Sequence, residues 1–99
     1  MASAGNVAVV PTQNHKRIRP EEITDQHKVF RCTVASQRYP HNRGIVVIFP
    51  PGTTLSGRVR MSHFQRGDDL GLYEPISRYD ITEGDIAAGG GQLRLWRLP

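Results

Sequence analysis

The feature that most restricts the fold is an unbroken apolar run at residues 45–49, followed at once by Pro50-Pro51-Gly52. The run is too short for a membrane-spanning helix, which needs about 20 apolar residues. Its β-branched residues favour a strand that is buried on both faces. We therefore predict a central strand over residues 44–49 that ends at the Pro-Pro-Gly turn.

Other stretches alternate apolar and polar residues, as is typical of strands with one buried face. They cover residues 28–35, 53–61, 70–76 and 92–98. This pattern predicts an all-β fold with little helix, a small five-stranded barrel or sandwich.

The connections follow from the proline and glycine positions. Residues 44–49 and 53–61 are expected to form a hairpin across the Pro-Pro-Gly turn. Pro75 is expected to confine its strand to an edge or an end of the sheet. One helical turn is expected over residues 20–26, a turn over residues 82–85, and Gly89-Gly90-Gly91 is interpreted as a flexible linker.

The first 20 residues are polar and show no periodicity. Such a stretch cannot bury enough apolar surface to order itself. We predict an extended basic N-terminal arm over residues 1–20 and a single β-rich domain over residues 21–99.

The first ten residues lack the basic start and the apolar run of a signal peptide. A soluble chain that acts inside a cell or a particle is therefore expected rather than a secreted one, with no membrane partner.

Charge is distributed unevenly along the chain. Residues 1–67 contain ten basic and three acidic residues, whereas residues 68–99 contain three basic and six acidic ones. This asymmetry indicates a polyanion or an acidic surface as partner, or else attraction between the two parts or between copies. Eleven of the 13 basic residues are Arg, whose planar fork binds phosphate or carboxylate through two hydrogen bonds.

No motif for catalysis is found. The four His residues lack the spacing of metal ligands, and no HExxH, GxSxG or phosphate-binding glycine loop occurs. Cys32 is the only cysteine and alternates with Phe30 and Val34, so it is predicted to be a small buried hydrophobic residue. We predict a non-enzymatic protein with no cofactor and no metal.

Two functions fit these observations. The first is a structural or interaction module that docks through its arm and its Arg-rich surface onto a larger assembly, such as an accessory component of a viral particle. A protein partner or a homo-oligomer is then expected. The alternative is a sequence-tolerant protein that binds single-stranded nucleic acid through a basic β surface.

The residues predicted to contact either partner are Lys16, Arg17, Arg19, Arg43, Arg58, Arg60, Arg94 and Trp96. In the nucleic-acid interpretation, Tyr39 and His41 add stacking contacts beside Arg43. Trp96 has two interpretations, because an indole serves equally as a stacking platform and as the packing anchor of a thin core.

Overall fold

The apolar run of the sequence forms the centre of a single sheet. The structure is a computed structural model that describes residues 8–99. That part of the chain contains one short α-helix, α1 (Glu83–Ala88), six strands and three single 3-10 turns, at Pro20–Glu22, Pro40–Asn42 and Arg78–Asp80. The first of these turns lies within the helical turn predicted over residues 20–26. The strands are β1 (Arg17–Ile18), β2 (Lys28–Ala35), β3 (Val46–Phe49), β4 (Val59–Ser62), β5 (Asp69–Ile76) and β6 (Leu93–Leu95). The predicted all-β class is confirmed.

The strands are arranged in the order β1-β6-β3-β2-β5-β4. Strands β3 and β6 are parallel, and the other neighbours are antiparallel. All four residues of β3 are buried, because the strand has neighbours on both edges and apolar clusters on both faces. The predicted central strand is therefore confirmed.

Two apolar clusters cover the two faces of the sheet. The first consists of Phe30, Cys32, Val47, Phe49, Met61, Leu70, Tyr73 and Trp96. The second consists of Ile18, Ile23, Val29, Val46, Ile48 and Leu93, with Ile76 and Ile81 packed against it. Cys32 is buried in the first cluster, as predicted.

The predicted hairpin between residues 44–49 and 53–61 is wrong. Strand β3 pairs with β2 and β6, and β4 pairs with β5. Both edges of β3 are therefore occupied, and residues 50–58 carry the chain away to the far edge of the sheet.

Pro75 lies in β5, opposite Phe30 of β2. Since β4 begins opposite Tyr73, the missing N–H of Pro75 falls where β5 has only one neighbour.

The six strands do not close into a barrel. Residues 8–18 instead run along the outer edges of both β4 and β6. The Val9 N–H donates to Arg60 O at 2.8 Å, and the Thr12 N–H donates to Arg97 O at 2.7 Å. Pro11 is buried between these two contacts. The described part of the predicted arm therefore lies against the chain's own sheet, and Ile18 contributes to the second cluster.

Helix α1 occupies the place of the predicted turn at residues 82–85. Its start is a capping box, in which Thr82 Oγ1 accepts from the Asp85 N–H and Asp85 Oδ2 accepts from the Thr82 N–H. The glycines that follow form a tight turn into β6 rather than a flexible linker. A Cβ at Gly89 would lie 1.9 Å from Gln92 O, so this turn requires glycine there.

Candidate functional site

The strand pairings bring chemically useful side chains to one end of the sheet, here called the upper end. Strands β1, β2 and β4 end there, and β3, β5 and β6 begin there. The β2–β3 loop, the β4–β5 loop and the turn that precedes β6 therefore all lie at this end of the sheet. No local sequence pattern reports this arrangement, because it depends on the strand order.

Arg17 and Arg94 are directly opposite each other in the antiparallel pair of β1 and β6. Both are exposed. Like charges in this position repel, and the repulsion is relieved when an anion lies between them. Within residues 8–99, neither arginine forms an ion pair. The two guanidinium groups thus make a positively charged site without a neutralising carboxylate.

A cleft of about 390 Å³ adjoins this pair, and it is here called the arginine cleft. Arg43 lines it from the loop before β3, while Gly89 and Gln92 line it from the turn before β6. Arg43, like the other two arginines, has no ion pair in the described part of the chain. The cleft therefore offers several guanidinium donors to an anion.

The arginine cleft is held in shape by the ion pair between Arg31 and Asp85. Arg31 Nη1 and Nη2 donate to the two Asp85 carboxylate oxygens at 2.9 and 2.8 Å, and Nη1 also donates to Gly44 O at 2.8 Å. These bonds lower the pKa of Asp85 to about 2 and raise that of Arg31. Asp85 also lines the cleft, but its charge is already neutralised by Arg31.

Two further carboxylates near the upper end also have partners. Asp68 accepts a hydrogen bond from the Tyr39 hydroxyl at 3.1 Å and lies 3.3 Å from Nε of Arg38. Asp69 forms an ion pair with Arg60 at 2.8 Å. The positive charge of the arginine cleft is therefore not cancelled by these nearby acids.

The structure brings only part of the predicted site together. Arg17, Arg43 and Arg94 meet in the arginine cleft. The remaining predicted basic residues do not line it: exposed Lys16 and Arg58, Arg19 paired with Glu21 and Glu22, and Arg60 paired with Asp69. The carboxylates paired with Arg19 and Arg60 reduce the charge that these two side chains offer to an anion.

Trp96 lies in the core, and the prediction that it contacts a partner is corrected here. It is only 3% exposed. Its indole packs edge-on against Phe49, with ring centroids 6.5 Å apart, and lies 5.9 Å from the ring of Tyr73. A stacking platform needs an open ring face, which Trp96 lacks.

Three other rings line up at the upper end and are here called the ring row: Tyr39, His63 and Phe64. Tyr39 and His63 have centroids 6.3 Å apart with planes 12° from parallel, and His63 and Phe64 have centroids 5.5 Å apart at 13°. His63 and Phe64 were not predicted as site residues. Their only sequence signal is their adjacency in a polar loop, and Tyr39 joins them through the order β2-β5-β4.

The loops around the ring row are held by polar contacts. The His63 Nδ1 accepts from the backbone N–H groups of Gln65 and Arg66 at 3.2 and 3.3 Å. Gln13 Oε1 accepts from the Phe64 N–H at 3.2 Å. The row is thus built before any ligand arrives, which limits the entropy lost on binding.

The nucleophilic and titratable groups of the core have no access to solvent. Burial raises the pKa of the Cys32 thiol and that of its cross-strand neighbour Tyr73. Among residues 8–99, no three His, Cys, Asp or Glu side chains are grouped to hold a metal ion. That part of the chain also contains no helix with the length and apolar character needed to cross a membrane.

No protein family, curated protein or solved structure matches this chain.

Proposed function

We propose that this chain is a non-enzymatic interaction module that docks onto an anionic surface of a larger assembly through its arginine cleft. The observation that carries the proposal is the pairing of Arg17 with Arg94 across two neighbouring strands, with no acidic partner for either among residues 8–99. Such a pair costs stability in the free protein and is relieved by a bound anion.

The N-terminal segment has a defined part in this proposal. Its described residues pair with β4 and β6 of the same chain, and this pairing places Arg17 beside Arg94. The arm therefore acts by completing the arginine cleft. The occupant is a phosphate or carboxylate group of the partner, since both match the planar fork of arginine.

Thermal unfolding with and without an anion tests the proposal. Inorganic phosphate is expected to raise the Tm of the natural chain, since a ligand that binds only the folded state stabilises it. The double variant Arg17→Gln/Arg94→Gln should have a higher Tm than the natural chain without phosphate, because the repulsion is gone. The same variant should respond less to phosphate.

The matched control is Arg58→Gln, which removes an exposed arginine that does not line the cleft. It should keep the full response to phosphate. An equal phosphate response in all three proteins would rule out the arginine cleft as the docking site. Light scattering at low and high salt then shows whether a second copy of the chain is itself the partner.

Sequence-tolerant binding of single-stranded nucleic acid is the second candidate function. It is favoured by one specific observation, which is that the arginine cleft and the ring row lie at the same end of the sheet. Phosphate contacts release counterions, so affinity for a single strand falls with salt by a log–log slope of about −0.7 for each contact. Three arginines predict a slope of about −2, and Arg17→Gln/Arg94→Gln should flatten it.

A further inference from the structure

We propose that the ring row of Tyr39, His63 and Phe64 is a stacking platform that takes a base of a single-stranded nucleic acid on Phe64, while the phosphates of that strand lie in the arginine cleft. This inference rests on the second candidate function and adds a second set of contacts to it. It assigns a binding role to His63 and Phe64, which make no part of the arginine cleft.

The geometry of the row suits flat ligands. The three rings already stack on one another, with successive planes 12° and 13° from parallel, so a base extends the stack at its exposed end, on Phe64. Phe64 is 41% exposed although it is apolar, and it does not belong to either core cluster. An exposed phenyl ring is a ready stacking surface, because every base has a flat π face.

The position of the row suits a ligand that also reaches the arginine cleft. The row lies at the upper ends of β2, β5 and β4, and the cleft lies at the upper ends of β3, β6 and β1. Tyr39 and Arg43 are joined by a single 3-10 turn, Pro40–Asn42. Four residues span at most about 14 Å, so one short strand of nucleic acid can contact both.

The charges around the row favour a phosphate backbone. Arg66 lies in the same loop as Phe64, is exposed and forms no ion pair within residues 8–99. Asp68 is the acid that contacts the row, through the Tyr39 hydroxyl, and Arg38 neutralises it. A strand with a base stacked on Phe64 therefore meets the positive charge of Arg66 beside it.

Single-stranded nucleic acid fits these contacts better than an acidic protein or a duplex does. An acidic peptide supplies carboxylates for the arginines but no regular series of rings for the row. The bases of a duplex are stacked on one another, so their faces are closed to the protein. A single strand offers free base faces and phosphates at a regular spacing.

Fluorescence anisotropy of a labelled 12-nucleotide oligo-dT tests the inference. Phe64→Leu keeps an apolar side chain but removes the ring, and it should weaken oligo-dT binding about tenfold. Phe64→Trp should retain binding, and oligo-dT should quench the new exposed indole. Tyr79→Leu is the matched control, because Tyr79 is an exposed aromatic residue outside the row, and it should bind oligo-dT like the natural chain.

Competition by polyphosphate, a polyanion without bases, separates the two sites. Polyphosphate should displace oligo-dT less effectively from Arg17→Gln/Arg94→Gln than from the natural chain. Direct calorimetric titration of polyphosphate should give the same affinity for Phe64→Leu as for the natural chain. Unchanged oligo-dT binding by Phe64→Leu, with a loss in the double arginine variant, would overturn the ring row and leave the arginine cleft in place.

Two other outcomes are also decisive. If the double arginine variant binds oligo-dT as tightly as the natural chain does, the phosphate contacts of the arginine cleft are overturned. Tighter binding of poly-glutamate than of oligo-dT would overturn nucleic acid in favour of an acidic protein. Circular dichroism of each variant confirms that the fold is intact in every comparison.

Discussion

The Arg31 guanidinium and the Asp85 carboxylate are joined by two hydrogen bonds of 2.9 and 2.8 Å, which tie β2 to helix α1. The two side chains are 26% and 14% exposed. A third hydrogen bond from Arg31 holds Gly44, next to Arg43 of the arginine cleft. One ion pair therefore fixes both the helix and a wall of the cleft.

Replacing Asp85 by Asn is expected to lower the free energy of unfolding by about 1–3 kcal/mol. The partly buried guanidinium of Arg31 then lacks its carboxylate, and the cost of desolvating it is no longer offset. Urea unfolding followed by the fluorescence of Trp96 measures the change. Asp25→Asn is the control, because the Asp25 side chain that pairs with Arg78 is 69% exposed, against 14% for Asp85, and it should change stability less. Similar losses in the two variants would show that Asp85 has no special role.

Stability should also depend on pH through Asp85. Its pKa is lowered from 3.8 to about 2 in the folded protein, so the folded state favours the charged carboxylate. The contribution is complete above the unfolded pKa and is lost as pH falls through the folded one. About 2 kcal/mol should therefore disappear from the free energy of unfolding between pH 5 and pH 2. The free energy of unfolding of Asp85→Asn should fall less than that of the natural chain over this pH range. An equal fall in both proteins would show that Asp85 is not the group responsible.

Two glycines are expected to respond to alanine in opposite directions. Gly71 in β5 has φ +114°, and a Cβ there would lie 2.3 Å from Val34 O of β2. Gly71→Ala should therefore cost about 1–3 kcal/mol of stability. Gly84 lies exposed in α1 with ordinary contact around its Cβ position, and Gly84→Ala should add about 0.5–1 kcal/mol. Thermal unfolding of the two variants measures both changes. A higher Tm for Gly71→Ala would show that β2 and β5 move apart easily enough to admit the added Cβ.

Trp96→Ala should cost about 3–5 kcal/mol of stability, because it opens a cavity beside Phe49 and Tyr73. Circular dichroism during urea unfolding measures this loss without relying on the indole. Tyr79→Ala should cost little, since Tyr79 is 75% exposed. Full stability of Trp96→Ala combined with lost oligo-dT binding would instead restore Trp96 as a stacking platform.

The strands were predictable where their signal is local. Strand β2 was predicted over its full length from the alternation around Cys32, and β3 from its continuous apolar run. The partners of β3 were not predictable, because the Pro-Pro-Gly turn after Phe49 favours a hairpin locally, while burial against β2 and β6 decides the pairing. Helix α1 was missed because six residues are too few to show helical periodicity.

The candidate site was predictable only in its residue types. The excess of arginine indicated an anion, and Arg17, Arg43 and Arg94 were among the residues named. Which arginines meet depends on the register of β1 against β6, and ion pairing then removes Arg19 and Arg60 from the set. These are long-range properties that spacing along the chain does not report.

The contact between Thr12 and Arg97 has a consequence for how the chain is made. The two residues are 85 positions apart and share two hydrogen bonds. During synthesis on the ribosome, β6 is the last strand of the sheet to emerge and Arg97 follows it, so Thr12 waits unpaired until then. Sheets closed by such distant contacts form slowly. A nascent chain should therefore spend its longest-lived intermediate with Thr12 unpaired and β6 still missing from the sheet, when protection by a chaperone matters most.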